Sequence, residues 1–285
     1  MSEARALRFE TADGLGLVAD AYGDPAAPPV LLQHGGGQTR HSWKGAAQAL
    51  AEAGFHAISL DLRGHGDSDW CPQADYGFGR FADDTLDVLR QLGAPTAVVG
   101  ASLGGIAGLA ATASPAPGVS IRALVLVDVT PTMNPEGAAA ITGFMQERAV
   151  EGFASLEEAA DAIAAYLPHR PRPKNLDGLR KNLRQGEDGR WRWHWDPKFV
   201  SAARRPESML DDTALIEASR ALAIPTLLVR GQQSELVDEA HAREFLELAP
   251  HARYVDVSGA AHMVAGDRND AFSQAVAEFL VELES

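Results

Sequence analysis

The segment from Gly100 to Gly104, Gly-Ala-Ser-Leu-Gly, contains the side chain best suited to covalent chemistry. A serine hydroxyl attacks a carbonyl carbon when a nearby base takes its proton. Apolar residues before Gly100 predict a strand, and small residues after Gly104 predict a helix. Glycines at both flanks permit a tight strand-to-helix turn, where a Cβ would collide with the backbone. We therefore predict that Ser102 is a nucleophile and that the Leu103 N–H helps to bind an oxyanion.

A serine nucleophile needs a neutral imidazole as its base, and the chain has nine histidines. His262 is the best placed, because it follows a predicted strand at 253–257 and precedes the last predicted helix. The other positions fit a base less well. Of these, His41, His65 and His169 fall in loops, His56 lies inside a strand, His241 and His251 lie on and at the end of a helix, and His194 lies in an inserted segment. We expect His34 to order its glycine-rich loop by hydrogen bonding and not to act as a catalyst.

Two carboxylates are candidates for the third catalytic group, which accepts a hydrogen bond from the imidazole. Glu235 lies in the loop after a predicted strand at 225–230, and Asp128 ends a predicted strand at 123–128. Both stand between the serine and the histidine along the chain, so chain order does not choose between them.

The elements that must position these groups follow an alternating pattern. In residues 1–130 and again in 223–285, short apolar strands alternate with helical patterns, which predicts a mostly parallel central sheet flanked by helices. Residues 131–222 interrupt the pattern with helical stretches, one of them at 176–184, and contain no convincing strand. We therefore predict an α/β core domain with an inserted helical cap, or lid.

Composition excludes several classes of protein. The chain has 285 residues, 46% hydrophobic, and a net charge of −14, which disfavours nucleic acid as a partner because phosphates would be repelled. Its single cysteine, Cys71, cannot form an intrachain disulfide and fits a reducing compartment. The first residues lack a leader pattern, and no apolar run reaches the ~18 residues of a membrane span. We expect a cytoplasmic protein without membrane contact, and the oligomeric state stays open.

Three tryptophans stand at alternate positions of the predicted cap: Trp191, Trp193 and Trp195. An extended segment would place them on one face, where they could either line an apolar substrate pocket or pack the cap onto the core. No histidine and carboxylate cluster has metal-ligand spacing, and no glycine-rich loop opens a dinucleotide site. We therefore expect neither a metal nor a cofactor.

Taken together, these motifs resemble the α/β-hydrolase superfamily, specifically a serine-nucleophile, esterase-like member with a helical cap. The resemblance rests on His34-Gly35-Gly36 after the third predicted strand, the polar loop 61–68 after the fourth, the segment around Ser102, and the late His262. It implies the α/β-hydrolase fold and a second oxyanion donor at the Gly36 N–H.

The resemblance also bears on the acid. Most relatives carry it, usually as an aspartate, in the loop that holds Glu235, whereas some supply it from the position of Asp128. On loop position we favour Glu235, and Asp128 would otherwise cap the entry to the inserted segment.

The reaction implied by the resemblance is hydrolysis of carboxylic esters of small to medium apolar substrates through an acyl-enzyme intermediate. Carbon–carbon bond hydrolysis and perhydrolysis use the same groups and stay open, as do a non-hydrolytic lyase and a ligand-binding relative. Epoxide hydrolysis and dehalogenation are disfavoured, because those relatives attack through a carboxylate and an alkyl ether on Ser102 would be a dead end.

Overall fold

The computed structural model describes residues 4–114, 116–166, 172, 175–202, 212–259 and 269–284. Its main feature is an eight-stranded sheet with the order β1-β2-β4-β3-β5-β6-β9-β10. The strands are β1 (Arg5–Glu10), β2 (Gly16–Tyr22), β3 (Pro29–Gln33), β4 (His56–Leu60), β5 (Thr96–Ala101), β6 (Ile121–Val127), β9 (Thr226–Gly231) and β10 (Arg253–Val257). This is the predicted mostly parallel sheet.

Only the first two strands depart from the parallel arrangement. β1 and β2 form an antiparallel hairpin, and β2 pairs antiparallel with β4. From β4 to β10 every neighbouring pair is parallel. The carboxyl ends of β3, β5, β6 and β9 therefore meet at one edge of the sheet, where ligands of open α/β sheets bind.

Helices cover both faces of the sheet. They are α1 (Lys44–Glu52), α2 (Phe78–Leu92), α3 (Leu103–Thr112), α8 (Glu239–Leu248) and α9 (Asn269–Glu282). Along β5, Val98 packs in one apolar cluster with α2, α3 and α8, and its neighbours Ala97 and Val99 pack in the other with α1 and α9. Burial on both faces explains why the central strands are continuous apolar runs.

The inserted segment between β6 and β9 is only partly helical. It contains α4 (Pro135–Gln146), α5 (Leu156–Tyr166), α6 (Pro197–Ala202) and α7 (Asp212–Arg220), and also an antiparallel hairpin of β7 (Leu183–Gln185) and β8 (Trp191–Trp193). The helix predicted at 176–184 is wrong, because a short 3₁₀ helix, Asp177–Lys181, gives way there to β7. The prediction that the segment has no strand is wrong for the same reason.

Within the predicted cap, α7 is in contact with the core helix α3, and its residues Leu215 and Ala218 belong to the main apolar cluster. The same cluster contains Trp193 and Trp195. Cap and core thus share one continuous apolar interior, and the division at 131–222 stays a prediction.

Candidate active site

Ser102 lies on the turn between β5 and α3. Its backbone has φ 47° and ψ −114°, a conformation with positive φ that residues other than glycine rarely adopt. The Ser102 N–H donates to the Val127 carbonyl of β6 at 3.1 Å, and the Ser102 carbonyl accepts from the Ile106 N–H of α3. The turn is thus fixed from the neighbouring strand and from the helix, and it holds the hydroxyl at the carboxyl edge of the sheet.

The glycines around Ser102 are required by close packing. A Cβ on Gly100 would overlap the backbone of Gly104, and a Cβ on Gly104 would overlap the carbonyl of Gln33 at the end of β3. Gly105 is similarly enclosed by Val129. Because these positions have no side chain, α3 lies directly on the sheet and presents its amino end beside the serine.

The loop after β3 approaches the same serine. A Cβ on Gly35 would lie 3.4 Å from the Ser102 Cβ. The Gly35 carbonyl accepts from His34 Nδ1–H at 2.8 Å and from the Gln38 N–H at 3.1 Å. Since the peptide is trans, its N–H, which belongs to Gly36, is directed away from those two donors.

Leu103 opens α3, so its N–H has no intrahelical acceptor and lies at the positive end of the helix dipole. The two predicted oxyanion donors, on Gly36 and Leu103, therefore belong to the two backbone segments that meet at Ser102.

Asp128 follows β6 directly and is fully buried, with 0% exposure. Ala101 pairs with Val127 in the β5–β6 register, so Asp128 stands beside Ser102, each being the first residue after its strand. The Asp128 carboxylate accepts from the Gly231 N–H at 3.1 Å and from the Ser234 hydroxyl at 2.6 Å. Its backbone has φ 51°, so a second non-glycine residue at this edge adopts the left-handed region.

Glu235 has a different environment. Its side chain is exposed on the loop after β9, and its carbonyl packs against Gly137 of α4. Burial raises the pKa of Tyr166 on α5, and the charge of Glu235 raises that pKa further. This carboxylate therefore faces the cap. The predicted base, His262, lies outside the described residues.

Two histidines of the core, His34 and His65, lie buried beside the glycine loop, Gly35–Gly37, which follows β3. Burial lowers the pKa of His34 to about 4. Burial, followed by the neighbouring His34, lowers the pKa of His65 to about 3. A third buried histidine, His194, comes from the cap, and its ring centroid lies 5.9 Å from that of His65. Sequence reasoning ranked His65 and His194 as weak candidates for the base, because they fall in a loop and in the inserted segment. It did not reveal their contacts with Gly37, which join distant parts of the chain.

The three tryptophans do not share one environment. Trp193 and Trp195 stack with ring centroids 4.8 Å apart, and Phe153 packs edge-on against Trp193. The Trp195 ring lies 3.4 Å from the position of a Cβ on Gly37, next to the glycine loop. The guanidinium carbon of Arg180 lies over the Trp191 ring, 4.8 Å from the centroid of that ring. Trp193 therefore packs inside the cap, and Trp195 lies next to the glycine loop.

Among the described residues, no group of three or more His, Cys, Asp or Glu side chains is arranged to hold a metal ion. Within the same ranges, every helix is too short or too polar to traverse a bilayer.

Comparison with known proteins gives consistent matches. The family profile described as the alpha/beta hydrolase fold matches residues 28–268. The esterase Rv0045c of Mycobacterium tuberculosis is 34% identical over 88% of this chain and 82% of its own length. The 2-(acetamidomethylene)succinate hydrolase of Mesorhizobium japonicum is 33% identical over 74% of this chain and 73% of its own. A solved structure of E-2-(acetamidomethylene)succinate hydrolase superposes with a TM-score of 0.81 and 25% identity, covering 97% of this chain and 99% of that one.

Proposed function

The chain belongs to the α/β-hydrolase fold family, and from this premise we propose that it is a serine hydrolase that cleaves carboxylic esters of small to medium apolar substrates. The observation that carries the proposal is the strained turn that holds Ser102 beside the loop of Gly35. The similarity to an esterase over most of both chains supports the same reaction.

We assign the acid to Asp128, not to Glu235 as loop position alone suggested. Asp128 is buried beside the nucleophile, and two donors hold its carboxylate in place. Glu235 is exposed and faces α5. A buried, oriented carboxylate can stabilise a developing imidazolium, whereas an exposed one is weakened by solvent screening. His262 keeps the role of base on its sequence position.

In the first half of the reaction, Ser102 Oγ attacks the ester carbonyl carbon while its proton passes to His262. The carbonyl π electrons move to the oxygen, which becomes an oxyanion bound by the N–H groups of Gly36 and Leu103. Collapse of this tetrahedral intermediate breaks the bond to the alcohol oxygen, which takes the proton from His262 and leaves. Asp128 keeps the imidazole in the tautomer that can accept the serine proton.

In the second half, water attacks the acyl carbon and gives a proton to His262. The same two N–H groups bind the second oxyanion. Its collapse breaks the bond to Ser102 Oγ, the proton returns to that oxygen, and the carboxylic acid leaves. Each group thus ends in its starting state.

The side chains around the glycine loop favour an apolar substrate. A Cβ on Gly36 would contact the Phe199 ring at 3.5 Å, and one on Gly37 would lie 2.9 Å from Met145 Cε and 3.4 Å from Trp195. These three side chains come from the cap, and none carries a charge. We infer that they contact the acyl or alcohol portion of the ester, with Trp193 supporting Trp195 and Trp191 more remote.

We further infer a cytoplasmic enzyme without nucleic acid or membrane partners. The net charge of −14 and the single buried Cys71 support this inference.

The nucleophile is tested by labelling with a fluorophosphonate and measuring the intact mass. We expect one adduct on the wild-type protein and none on Ser102→Ala. His41→Ala, which removes a half-buried histidine from the 3₁₀ helix Arg40–Trp43, serves as a folded control that should label normally. An unlabelled wild-type protein would contradict any acyl-enzyme route.

The substrate class is tested with p-nitrophenyl acetate, butyrate and octanoate. We expect a burst of p-nitrophenol equal to the labelled Ser102 sites, followed by slower turnover. Two further assays distinguish the alternative reactions from ester hydrolysis. Formation of a peracid after addition of hydrogen peroxide would indicate perhydrolysis, and cleavage of a β-diketone would indicate carbon–carbon bond hydrolysis. Labelling without turnover of any of the three esters would contradict the esterase proposal.

A further inference from the structure

Gly37, the last residue of the glycine loop, is bound at both of its backbone polar groups by histidines. Its N–H donates to His65 Nε2 at 3.2 Å, and its carbonyl accepts from His194 Nε2–H at 3.3 Å. Two residues earlier in the loop, His34 holds the Gly35 carbonyl. Each of the three successive peptides between Gly35 and Gln38 is thus held by one imidazole.

The hydrogen bonds fix a single neutral tautomer for each ring. His65 donates from Nδ1 to the Arg63 carbonyl at 2.9 Å, so its Nε2 is free to accept. His194 accepts from the Gly66 N–H at Nδ1, at 2.7 Å, so its proton is on Nε2. His34 donates from Nδ1 and accepts from the Leu62 N–H at Nε2. Every ring has one donor and one acceptor in use, and a second proton would place two donors face to face.

The surroundings keep these rings neutral. Burial and the neighbouring His65 and His34 lower the pKa of His194 well below its usual value. Arg184 lowers the pKa of His194 further, whereas Asp61 raises that of His65. The histidine triplet, His34, His65 and His194, can therefore act as fixed hydrogen-bonding groups at neutral pH.

Unlike the other two, His194 belongs to the cap, in the connection between β8 and α6. Its neighbour Asp196 donates its N–H to the Gly64 carbonyl at 2.9 Å and accepts from the Tyr76 hydroxyl at 2.7 Å. Arg184 of β7 donates to the Gly66 carbonyl. The cap is thus fastened to the loop after β4, and this fastening places His194 against the glycine loop.

Three consecutive glycines cannot hold their own conformation, because glycine populates most backbone conformations almost equally. Restraint has to come from other residues, and the structure provides it at the Gly35 carbonyl and at both groups of Gly37. The Gly37 carbonyl and the Gln38 N–H belong to one peptide, and that N–H donates to the Gly35 carbonyl, whose own peptide carries the Gly36 N–H. If the Gly37 carbonyl were released, this peptide could rotate, weaken its bond to the Gly35 carbonyl and let the Gly36 N–H turn away from the nucleophile.

We propose that His194 of the cap is a positioning residue for the oxyanion hole, acting through the Gly37 carbonyl to hold the Gly36 N–H toward Ser102. The inference rests on the proposed function. It makes seating of the cap a condition for catalysis and not only for substrate selection.

The test compares two substitutions that each keep one half of the imidazole. His194→Gln retains a donor near the position of Nε2, and His194→Asn retains a polar atom near Nδ1 but cannot reach Gly37. We expect the Asn variant to lose about 10- to 100-fold in kcat with KM nearly unchanged, because a misplaced oxyanion donor weakens only the transition state. The Gln variant should recover most of that loss.

A second measurement uses trifluoroacetophenone, which forms a tetrahedral adduct on the serine and so reports on the oxyanion hole directly. Its inhibition constant should rise in proportion to the fall in kcat of His194→Asn. Concentrations are taken from fluorophosphonate titration of Ser102, so an unfolded fraction does not affect the result. Should His194→Asn not fold, Arg184→Ala is measured instead. The half-exposed Arg184 side chain donates to the Gly66 carbonyl, and its removal should raise the inhibition constant of trifluoroacetophenone about threefold.

The matched control is His251→Asn, which removes the same type of bond, from Nε2 to the Ile224 carbonyl, at an exposed site. It should leave both constants unchanged. Equal constants for wild type and folded His194→Asn, with Ser102 still labelled, would overturn the inference and leave the hydrolase proposal standing. Failure of the wild-type protein to label and to turn over esters would instead overturn the proposed function.

Discussion

Replacing Asp128 by asparagine tests which carboxylate orients the base. The exchange preserves the size of the side chain but turns one acceptor oxygen into an NH₂ donor. The Ser234 hydroxyl cannot adapt by reversing its bond, because its oxygen already accepts from the N–H groups of Leu236 and Val237 at 3.1 Å each. The Ser234 hydroxyl must therefore donate its proton to the Asp128 carboxylate, and the two oxygens lie 2.6 Å apart.

Two separate losses follow. An amide at position 128 leaves the half-buried Ser234 hydroxyl, the Gly231 N–H or the imidazole facing a donor, which should lower the free energy of unfolding by about 1–3 kcal/mol. The amide would also favour the tautomer of His262 that cannot accept the serine proton, and kcat should fall by about 10³- to 10⁴-fold. The effect on catalysis is thus far larger than the effect on stability.

The assay is turnover of p-nitrophenyl butyrate per labelled serine, with urea unfolding measured on the same preparations. Glu235→Gln is the paired variant, and its exposed side chain should change kcat by less than about threefold. Ser234→Ala separates the two losses, because it removes the bond to Asp128 but keeps the carboxylate. Its cost should appear mainly in stability.

A large loss in Glu235→Gln together with a near-normal kcat in Asp128→Asn would refute the assignment and restore the preference drawn from loop position. A similar loss in both would mean that neither carboxylate acts alone, contrary to the geometry at β6.

Three other outcomes are expected. Gly104→Ala should lower the free energy of unfolding by about 1–3 kcal/mol and slow fluorophosphonate labelling, because the new Cβ would push α3 from the sheet; Gly79→Ala, at an open position of α2, should do neither. Arg63→Met should cost about 3–5 kcal/mol in urea unfolding, because it leaves the buried carboxylate of Asp84 without its main partner, yet kcat of the folded fraction should be little changed. Lowering the pH from about 6.5 to about 4 should reduce stability, because unfolded His34 takes up a proton that the folded ring resists, and its pKa of about 4 corresponds to about 3 kcal/mol. A flat unfolding free energy across that pH range would contradict the last of these.

The core of the fold could be predicted because its signals are local. The predicted strand at 253–257 has the same bounds in the structure. The predicted strands at 123–128 and 225–230 agree with β6 and β9 to within two residues, because burial on two faces gives continuous apolar runs. Gly100 and Gly104 likewise predicted the turn at Ser102, because glycine at both positions permits the close backbone packing that the structure has there.

The cap was harder to predict because its structure depends on pairing between distant residues. The three-residue strands β7 and β8 are too short for alternation to show, and they are joined across a turn closed by the Gly186 N–H and the Arg190 carbonyl. Helix propensity in 176–184 was overridden by this pairing, as is common for weak local preferences.

The same limit applies to the site. Sequence placed Glu235 and Asp128 in suitable loops, but burial, which separates them, becomes visible only when β6 and β9 pair. His65 and His194 meet at Gly37 from positions 28 and 157 residues away, a contact that no local pattern encodes. The assignment of His262 still depends on its place along the chain.

The left-handed backbone of Ser102 means that stability and activity oppose each other at this residue. A side chain in that region costs of order 1 kcal/mol, which a glycine would not incur. Under the proposed function, a chain with glycine at position 102 would be inert yet harder to unfold than this one. Selection for thermal resistance alone would therefore favour glycine at this position, so the cost of the serine backbone is explained by the chemistry proposed for it and not by folding.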